Sequence, residues 1–496
     1  MQCIERCLGS TALSAEPITH GPQIVIIDKF TAAVWVRGSA GGTVRVKYWP
    51  TDDLEAEVSI VLARLEPDAD FTGRATLSDL YSGLRYSFSV ETMGGARNGS
   101  FRTPAAEDDK TEGDWQACSF VFGSCVGGQG YGRLRGDGPE SGFPAFAAML
   151  AAAPDFFVCN GDFIYADNAI KPVGTMPWNK GAEHVIGEGM KLATTLGGFR
   201  ARYRYHLADP KLQSFLANTP MLSTWDDHEI VDDWGAEWLI AKGEAQLLED
   251  GLRAWFEYQP YVSPFPSQPR RVYRTQRWGL HVEVFVLDTR SYRSKHTACE
   301  EGRTTPQMKS ILGAAQLSWL LEALSASTAT WKMICTSVPL SYPTGWPRPE
   351  ETGFDGWSDG SSASVSGPEK ELLSILAHIR DHAIANVVFI SGDVHFPFCI
   401  SYDPFKQGKP LCYEIGATPI HALCLPTPPP GRQDTSLNPS VLYAGHVEFG
   451  GKLQNFGRCA VDDKGVATFS LHTADGEKLY ALELPPTNKG GGTMMA

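Results

Sequence analysis

The sequence predicts an all-β sandwich followed by a larger α/β layered domain. Three observations carry that expectation. Residues 21–104 are a succession of short β-branched and aromatic runs, interrupted about every 8–12 residues by Gly, Asp or Pro. From about Trp115 the texture changes, and apolar strand-like runs alternate with helical stretches. Those later runs are apolar throughout instead of alternating, which implies a sheet covered on both faces.

Taken in order, residues 1–20 read as a loose lead-in. The runs "QIVIID", "AAVWVRG", "TVRVKYW", "AEVSIVLARL", "GRATLSDL" and "RYSFSVET" then read as sandwich strands up to residue 104. "LSDLYSGLRYSFSVE" resembles the corner of a fibronectin type III domain, with Tyr86 in the corner position. The acidic polar run at 105–114 is expected to be a linker, 115–475 the second domain, and 476–496 a C-terminal tail. In the second domain "SFVFGSC", "DFFVCNGD", "MLSTWDD", "VEVFVLDTR", "KMICTSVPL" and "NVVFISGDVH" read as strands. "PAFAAMLAA", "KLQSFLANT", "AAQLSWLLEALSAS" and "EKELLSILAHIRDH" read as helices. Two Gly/Ser/Pro-rich segments, 343–368 and 417–440, are long for structureless loops and are either pocket walls or disordered.

At 496 residues, with 43% hydrophobic and 20% charged residues, the chain can bury a sizeable core without disulfides. Its net charge of −14 and the lack of a Lys/Arg-rich block argue against a surface that coats nucleic acid. Several of the 11 cysteines lie inside apolar runs, Cys159 and Cys335 among them, and read as small buried hydrophobes. That use of cysteine leans towards a reducing compartment. The start has neither a basic-then-apolar leader nor a twin arginine, which leaves a cytoplasmic chain or a processed, secreted form. No apolar run is long enough for a membrane span.

The polar groups fall in an informative pattern. Four strand-like runs end in side chains able to hold a metal: Cys125; Asp162 and Tyr165; Asp226 to Glu229; Asp393 and His395. Ligands of α/β sheets bind beyond the carboxyl ends of the strands, so four such ends can surround one point. Singly, each has a plainer reading. Asp162 would be a turn aspartate, Tyr165 a core tyrosine, Cys125 a buried cysteine, and Asp226 to Glu229 the start of a helix. Four coincidences at one end of successive strands imply a shared task. Carboxylates and a phenolate favour Fe(III) or another hard ion, the imidazole suits iron or zinc, and a second site would suit Ca²⁺. Two cations sharing one Asp would serve attack on an anionic phosphoryl group.

The ordered set "FGSC … NGDFIYAD … WDDHEIVDDW … LDTRSYR … SGDVH" resembles the alkaline phosphatase D family, the PhoD-like metallophosphatases of the calcineurin-like superfamily. The resemblance runs from about residue 24 to 475. It implies a four-layer α/β/β/α domain behind the sandwich and a centre of Fe(III) and Ca²⁺ type, with Zn, Mn and Mg as the other divalent choices. It makes Cys125, Asp162, Tyr165 and Asp393 the iron side, with Asp162 bridging. Asp227 and His395 become further metal ligands, His228 the acid for the leaving group, and Arg290 a clamp on phosphate or on the structure. The expected activity is hydrolysis of a small phosphate ester, mono- or diester, by a metal-bound hydroxide. A phospholipase D-like diesterase and a non-catalytic, metal-stabilised binding protein are the rivals. "FDGWSDGSS" stands where the family has a Trp-Asp-Gly-Tyr loop, so Trp357 and Asp359 are expected to reshape substrate choice. The oligomeric state stays open.

Overall fold

A computed structural model describes residues 13–14, 17–52, 58–107, 117–128, 142–170, 191–294, 309–344, 355–358, 365, 367–428 and 435–487. Its first part holds β1 (Ile18–Asp28), β2 (Thr31–Gly38), β3 (Gly42–Pro50), β4 (Ser59–Leu65), β5 (Thr72–Leu77), β6 (Arg85–Thr92) and β7 (Gly95–Arg102). They form a three-stranded sheet, β1-β2-β5, and a four-stranded sheet, β4-β3-β6-β7, in which every pairing is antiparallel. The two-residue period decides what is buried. Val44 and Val46 of β3 point inwards, whereas Lys47 points out and meets Glu91 of β6 at 2.8 Å. Ile24 and Val34 from one sheet and Val46, Phe88 and Val90 from the other belong to one buried cluster. Tyr86 Oη accepts from the Tyr81 amide at 2.8 Å, closing the turn before β6.

Two more sheets make up the rest. One is six-stranded, ordered β10-β9-β8-β18-β19-β20. Its members are β8 (Cys118–Gly123), β9 (Phe156–Asn160), β10 (Met221–Thr224), β18 (Asn455–Val461), β19 (Ala467–Thr473) and β20 (Lys478–Leu484). The other is seven-stranded, ordered β11-β12-β13-β14-β16-β15-β17. It consists of β11 (Arg274–Trp278), β12 (Val282–Val286), β13 (Trp331–Cys335), β14 (Val387–Ser391), β15 (Phe398–Tyr402), β16 (Cys412–Gly416) and β17 (Pro439–Ala444). β8, β9 and β10 run parallel to one another, as do β12, β13, β14 and β16.

Alternate residues of these strands go to different clusters. Phe120, Phe122 and Phe156 pack in the same cluster as Val284, Met333 and Val388 of the other sheet. Val121, Phe157 and Met221 join Phe146, Phe215 and Trp255, from the helices Pro144–Ala151, Pro210–Asn218 and Ala245–Tyr258. Phe285, Ile334 and Phe389 join Leu320 and Leu372, from the helices Gly313–Ala326 and Glu369–Asp381. This double covering is why the strands read as apolar throughout. No helix among the described residues is long and apolar enough to cross a membrane.

The ends of the chain differ from the sequence reading. Lys478–Leu484 is not a tail but an edge strand, paired antiparallel with β19. Its burial alternates weakly, as an edge strand's does, so the apolar signal was faint. β1 likewise starts at Ile18, inside the expected lead-in, and Leu13 bridges Thr43.

The sandwich is keyed into the helices beside it. Trp35 of β2 is fully buried, donates Nε1–H to the Glu257 carbonyl at 2.7 Å, and lies 5.8 Å from the Tyr258 ring. Arg74 of β5 donates to the Phe256 and Gln259 carbonyls. Truncating an indole at such a site removes packing as well as the hydrogen bond. Trp35→Ala is expected to cost about 3–5 kcal/mol, read as a fall in the urea unfolding midpoint.

Candidate metal centre

The loops after β8, β9 and β10 and those after β12, β13 and β14 meet at one place, at the carboxyl ends of these strands. Side chains converge there because the backbone turns sharply at each strand end. Cys125, Asp162, Asp393 and His395 all have left-handed backbone, with φ of 64°, 53°, 69° and 60°. Non-glycine residues are rarely held there, and when they are, such strain clusters at functional sites. Gly161 is required for a further reason. Its φ is +95°, and an added Cβ would lie 2.5 Å from Asp226 Cβ and 2.7 Å from Asp226 N. Only glycine lets the β9 and β10 loops approach this closely.

Glu229 stitches those two loops together. Its carboxylate accepts from the amides of Phe163 at 2.6 Å, Asp226 at 2.8 Å and Asp162 at 3.0 Å. Burial raises its carboxyl to about 7, and the three amides oppose that rise. The expectation that acids cluster here for one purpose therefore needs division, since Glu229 shapes the backbone.

The structure brings Cys125, Asp162, Tyr165, Asp227, His228 and His395 together. Ligand atoms of Cys125, Asp162 and His395 lie within 4.8 Å of one another, and so do those of Asp162, Asp227 and His228. Asp162 belongs to both groups. Cys125 Sγ is 3.4 Å from Asp162 Oδ2, and Tyr165 Oη is 2.8 Å from His395 Nε2. Thr418 also donates to Cys125 Sγ, at 3.0 Å. The protonation states fit a centre that gathers cations. Burial pushes the Cys125 thiol up to about 12, and burial with the nearby Cys125 and Asp162 holds the Tyr165 phenol well above its usual value. Burial raises Asp162 and Asp393 well above the carboxylate range, helped by neighbouring acids. Burial and the neighbouring His228 bring His395 down to about 4, which keeps its imidazole neutral. Asp393 Oδ2 and Asp227 Oδ1 are buried without a hydrogen-bond partner among the described residues. Unsatisfied carboxylate oxygens beside a thiol, a phenol and a neutral imidazole are the donor set that a pair of cations would complete.

His228 stacks on Tyr165, with ring centroids 4.0 Å apart. Its Nδ1 lies 2.9 Å from both oxygens of Asp167. Burial opposes a charge on the imidazole, but Asp167, Asp227 and Asp162 outweigh it and raise His228 well above its usual value. Asp167 in turn accepts from the Asp232 amide at 2.7 Å.

Arg290 is engaged by carboxylates in this arrangement. It is fully buried; Nε donates to Asp226 at 2.6 Å, Nη1 to Asp355 at 2.6 Å, and Nη2 also reaches Asp355. Its Nη2 lies 3.7 Å from Asp227 Oδ1. The structural half of the expectation for Arg290 is what the geometry provides. Asp226, Arg290 and Asp355 form a buried ion network beneath the site, with Arg293 as a second partner of Asp355. Burial lifts Asp226 to about 6 although Arg290 opposes it. Arg290 and Arg293 overcome burial at Asp355 and hold it below the usual range.

The donor groups open on a cavity of about 610 Å³. Pro343, Thr344, Leu423, Leu425, Pro426 and Pro428 line it, so each of the two Pro-rich segments contributes some of the cavity wall. Trp357 does not face it; the ring is buried and donates Nε1–H to Thr336 Oγ1 at 3.1 Å. Asp359 lies outside the described residues. Trp225 and Trp234 are buried, donating to Asp288 Oδ1 and to the Asp226 carbonyl. Sequence reasoning missed Asp167 and Asp355. Asp167 stands five residues after Asp162, where its pairing with His228 shows only once the β9 and β10 loops are side by side. Asp355 opens the stretch that was read for its tryptophan.

A family model described as PhoD-like phosphatase matches residues 120–467. This chain belongs to the PhoD-like phosphatase family. Among relatives, alkaline phosphatase D of Bacillus subtilis (strain 168) is 28% identical over 301 residues, which is 56% of this chain and 46% of that protein. The chain thus spans a little under half the length of that curated relative. A solved structure of PhoD matches with a TM-score of 0.70 at 18% identity, over 97% of this chain and 94% of the other, which is a likeness of fold. The PhoD-like match runs through Cys125, Asp162, Asp227, Asp393 and His395 alike.

Removing the Arg290 cation from the buried network would leave Asp226 without an ion-pair partner and Asp355 with Arg293 alone. Arg290→Met is expected to lower unfolding free energy by about 3–5 kcal/mol in urea titration. A loss below about 1 kcal/mol would mean that the network contributes little.

Proposed function

We propose that this PhoD-like chain is a metal-dependent phosphoric ester hydrolase, and that Asp162 is the hinge of its centre. The observation that carries the reading is that, of four donor groups among the described residues, Asp162 joins the one with Cys125 and His395 to the one with Asp227 and His228. Cys125, Tyr165, Asp162, Asp393 and His395 would hold the iron(III)-like ion; Asp162 and Asp227 would hold a Ca²⁺-like one. Zn, Mn or Mg are the alternatives. When bound, such a pair supplies an activated water and neutralises charge on a phosphoryl group.

The chain's own residues supply the rest. With Nδ1 engaged by Asp167, His228 has Nε2 left for chemistry at the cavity, and the raised affinity for a proton suits it to protonate a departing alkoxide. Asp167 orients that ring. Arg290 and Asp355 fix Asp226, and with it the β10 loop that carries Asp227 and His228. The burial clusters on either side of the two larger sheets support a four-layer α/β/β/α reading of this part. The seven strands of Ile18–Arg102 support a fibronectin type III-like reading of the first part.

The deciding assay compares initial rates on a chromogenic phosphomonoester and the matching diester, with Asp162→Ala beside the parent. The parent is expected to turn over at least one of them, and Asp162→Ala is expected to retain under a few per cent of that rate with a lower metal content. Retention of more would sink the assignment. A faster monoester rate makes the enzyme a phosphatase, and a faster diester rate a phosphodiesterase.

Two further outcomes follow from the named roles. His228→Gln is expected to slow turnover by about 10²–10⁴-fold for esters of poorly departing alcohols and much less for nitrophenyl esters. Equal losses on both would remove His228 from the acid role. An iron(III) ion on Tyr165 would give a visible absorption band that Tyr165→Phe abolishes. A colourless protein with full metal content and full activity would exclude iron there.

A further inference from the structure

The two walls of the cavity differ in chemistry, and the difference follows the two sheets. Loops after β9 and β10 contribute Asp167, Asp232, Asp233 and His228. Loops after β13, β14 and β16 contribute Tyr342, Val394, Phe396, Leu423, Leu425 and Pro426. The first wall is acidic. The carboxylates of Asp227, Asp232 and Asp233 crowd within 4.8 Å of one another there, so this wall presents a cluster of acidic groups to whatever enters the cavity. Apart from Thr344 and the donors Asp393 and His395, the second wall is lined mainly by hydrocarbon. Leu423 and Leu425 are half-buried and Pro426 is exposed in the cavity, so their apolar surface is free for a ligand.

The apolar wall is continuous with the donor groups. The Leu423 carbonyl meets His395 Nδ1, and the Leu425 amide donates to the His395 carbonyl at 3.3 Å. A phosphoryl group at the donors would thus place its organic substituent within reach of Leu423, Leu425 and Phe396. A volume of about 610 Å³ leaves room for such a substituent beside the phosphoryl group.

We infer that the site selects phosphate esters whose organic substituent is an uncharged hydrocarbon, aliphatic or aromatic, over esters that carry further anionic groups. The inference rests on the reading of the centre as a phosphoesterase. Burial of each methylene against the Leu423–Leu425 wall adds binding, while a second phosphate or carboxylate on the substrate meets Asp232 and Asp233 and is repelled. Leu425 is the specificity-determining side chain, because it is a half-buried apolar residue of the cavity lining whose amide is tied to His395 of the donor set.

A chain-length series tests this, since unbranched alkanols differ little in acidity as they lengthen. Ethyl, butyl and hexyl esters, as mono- or diesters according to which class is turned over, are assayed with the metal-loaded full chain. The expected result is a rise in kcat/KM of about two- to fourfold per added methylene. Leu425→Asp is expected to flatten that slope while the metal content stays at the parent's value. A bisphosphate ester of similar size is expected to be at least tenfold poorer than the butyl ester. Hydrolysis with kcat/KM constant within twofold from ethyl to hexyl would overturn the inference and leave the phosphoesterase reading intact. Faster hydrolysis of the bisphosphate would do the same. No hydrolysis of any ester by the metal-loaded chain would overturn the phosphoesterase reading, and the inference with it.

Discussion

The structure depends on keeping a concentration of negative charge out of water. Asp162, Asp226, Asp227 and Asp355 are buried within one region together with Cys125 and Tyr165, and Asp393 is half-buried beside them with its Oδ2 inaccessible. An isolated carboxylate in such surroundings would take up a proton or force the site open. Two solutions are used side by side. Beneath the site, Arg290 and Arg293 neutralise Asp226 and Asp355 with a fixed protein cation. At the cavity, Asp162, Asp227 and Asp393 are left to be neutralised by something from outside. The boundary between the two runs through Asp227, whose Oδ1 is 3.7 Å from Arg290 and otherwise without a hydrogen-bond partner among the described residues.

Much of this was legible because strand ends are punctuated by residue types that the core does not tolerate. Cys125, Asp162, Asp393 and His395 each follow an apolar run closely, so burial and chemistry could be read from one short stretch. The partners of those residues were harder to find, for a physical reason. Asp167 meets His228, and Arg290 meets Asp355, across 61 and 65 residues of chain. No local periodicity encodes such a meeting. Arg290 was open to two readings because an arginine beside a phosphate and one beside a carboxylate use the same guanidinium chemistry. The docking of Trp35 onto Glu257 and Tyr258 was equally hidden, since an inward tryptophan in a strand looks the same whichever core receives it.

Backbone conformation adds a level that composition does not reveal. The left-handed turns at Cys125, Asp162, Asp393 and His395 cost free energy, and Gly161 is there because nothing larger fits against Asp226. Glu229 offsets part of that cost by satisfying three amides that these turns would otherwise strand. The acid with the least role in binding is thus among the most important for shape.

The placement of β18 has a consequence for how the chain is made. β8, which leads directly to Cys125, lies between β9 and β18 in the six-stranded sheet, and β18 comes from residues 455–461. During synthesis the first donor loops emerge long before the strand that completes their sheet. The Asp393 and His395 loop, on the other sheet, also arrives late. A growing chain therefore carries acids and a thiol with no finished pocket around them, and any cation bound by the full donor set would be captured only by the completed chain. A cation held at this centre would tie together parts of the molecule that are made far apart in time.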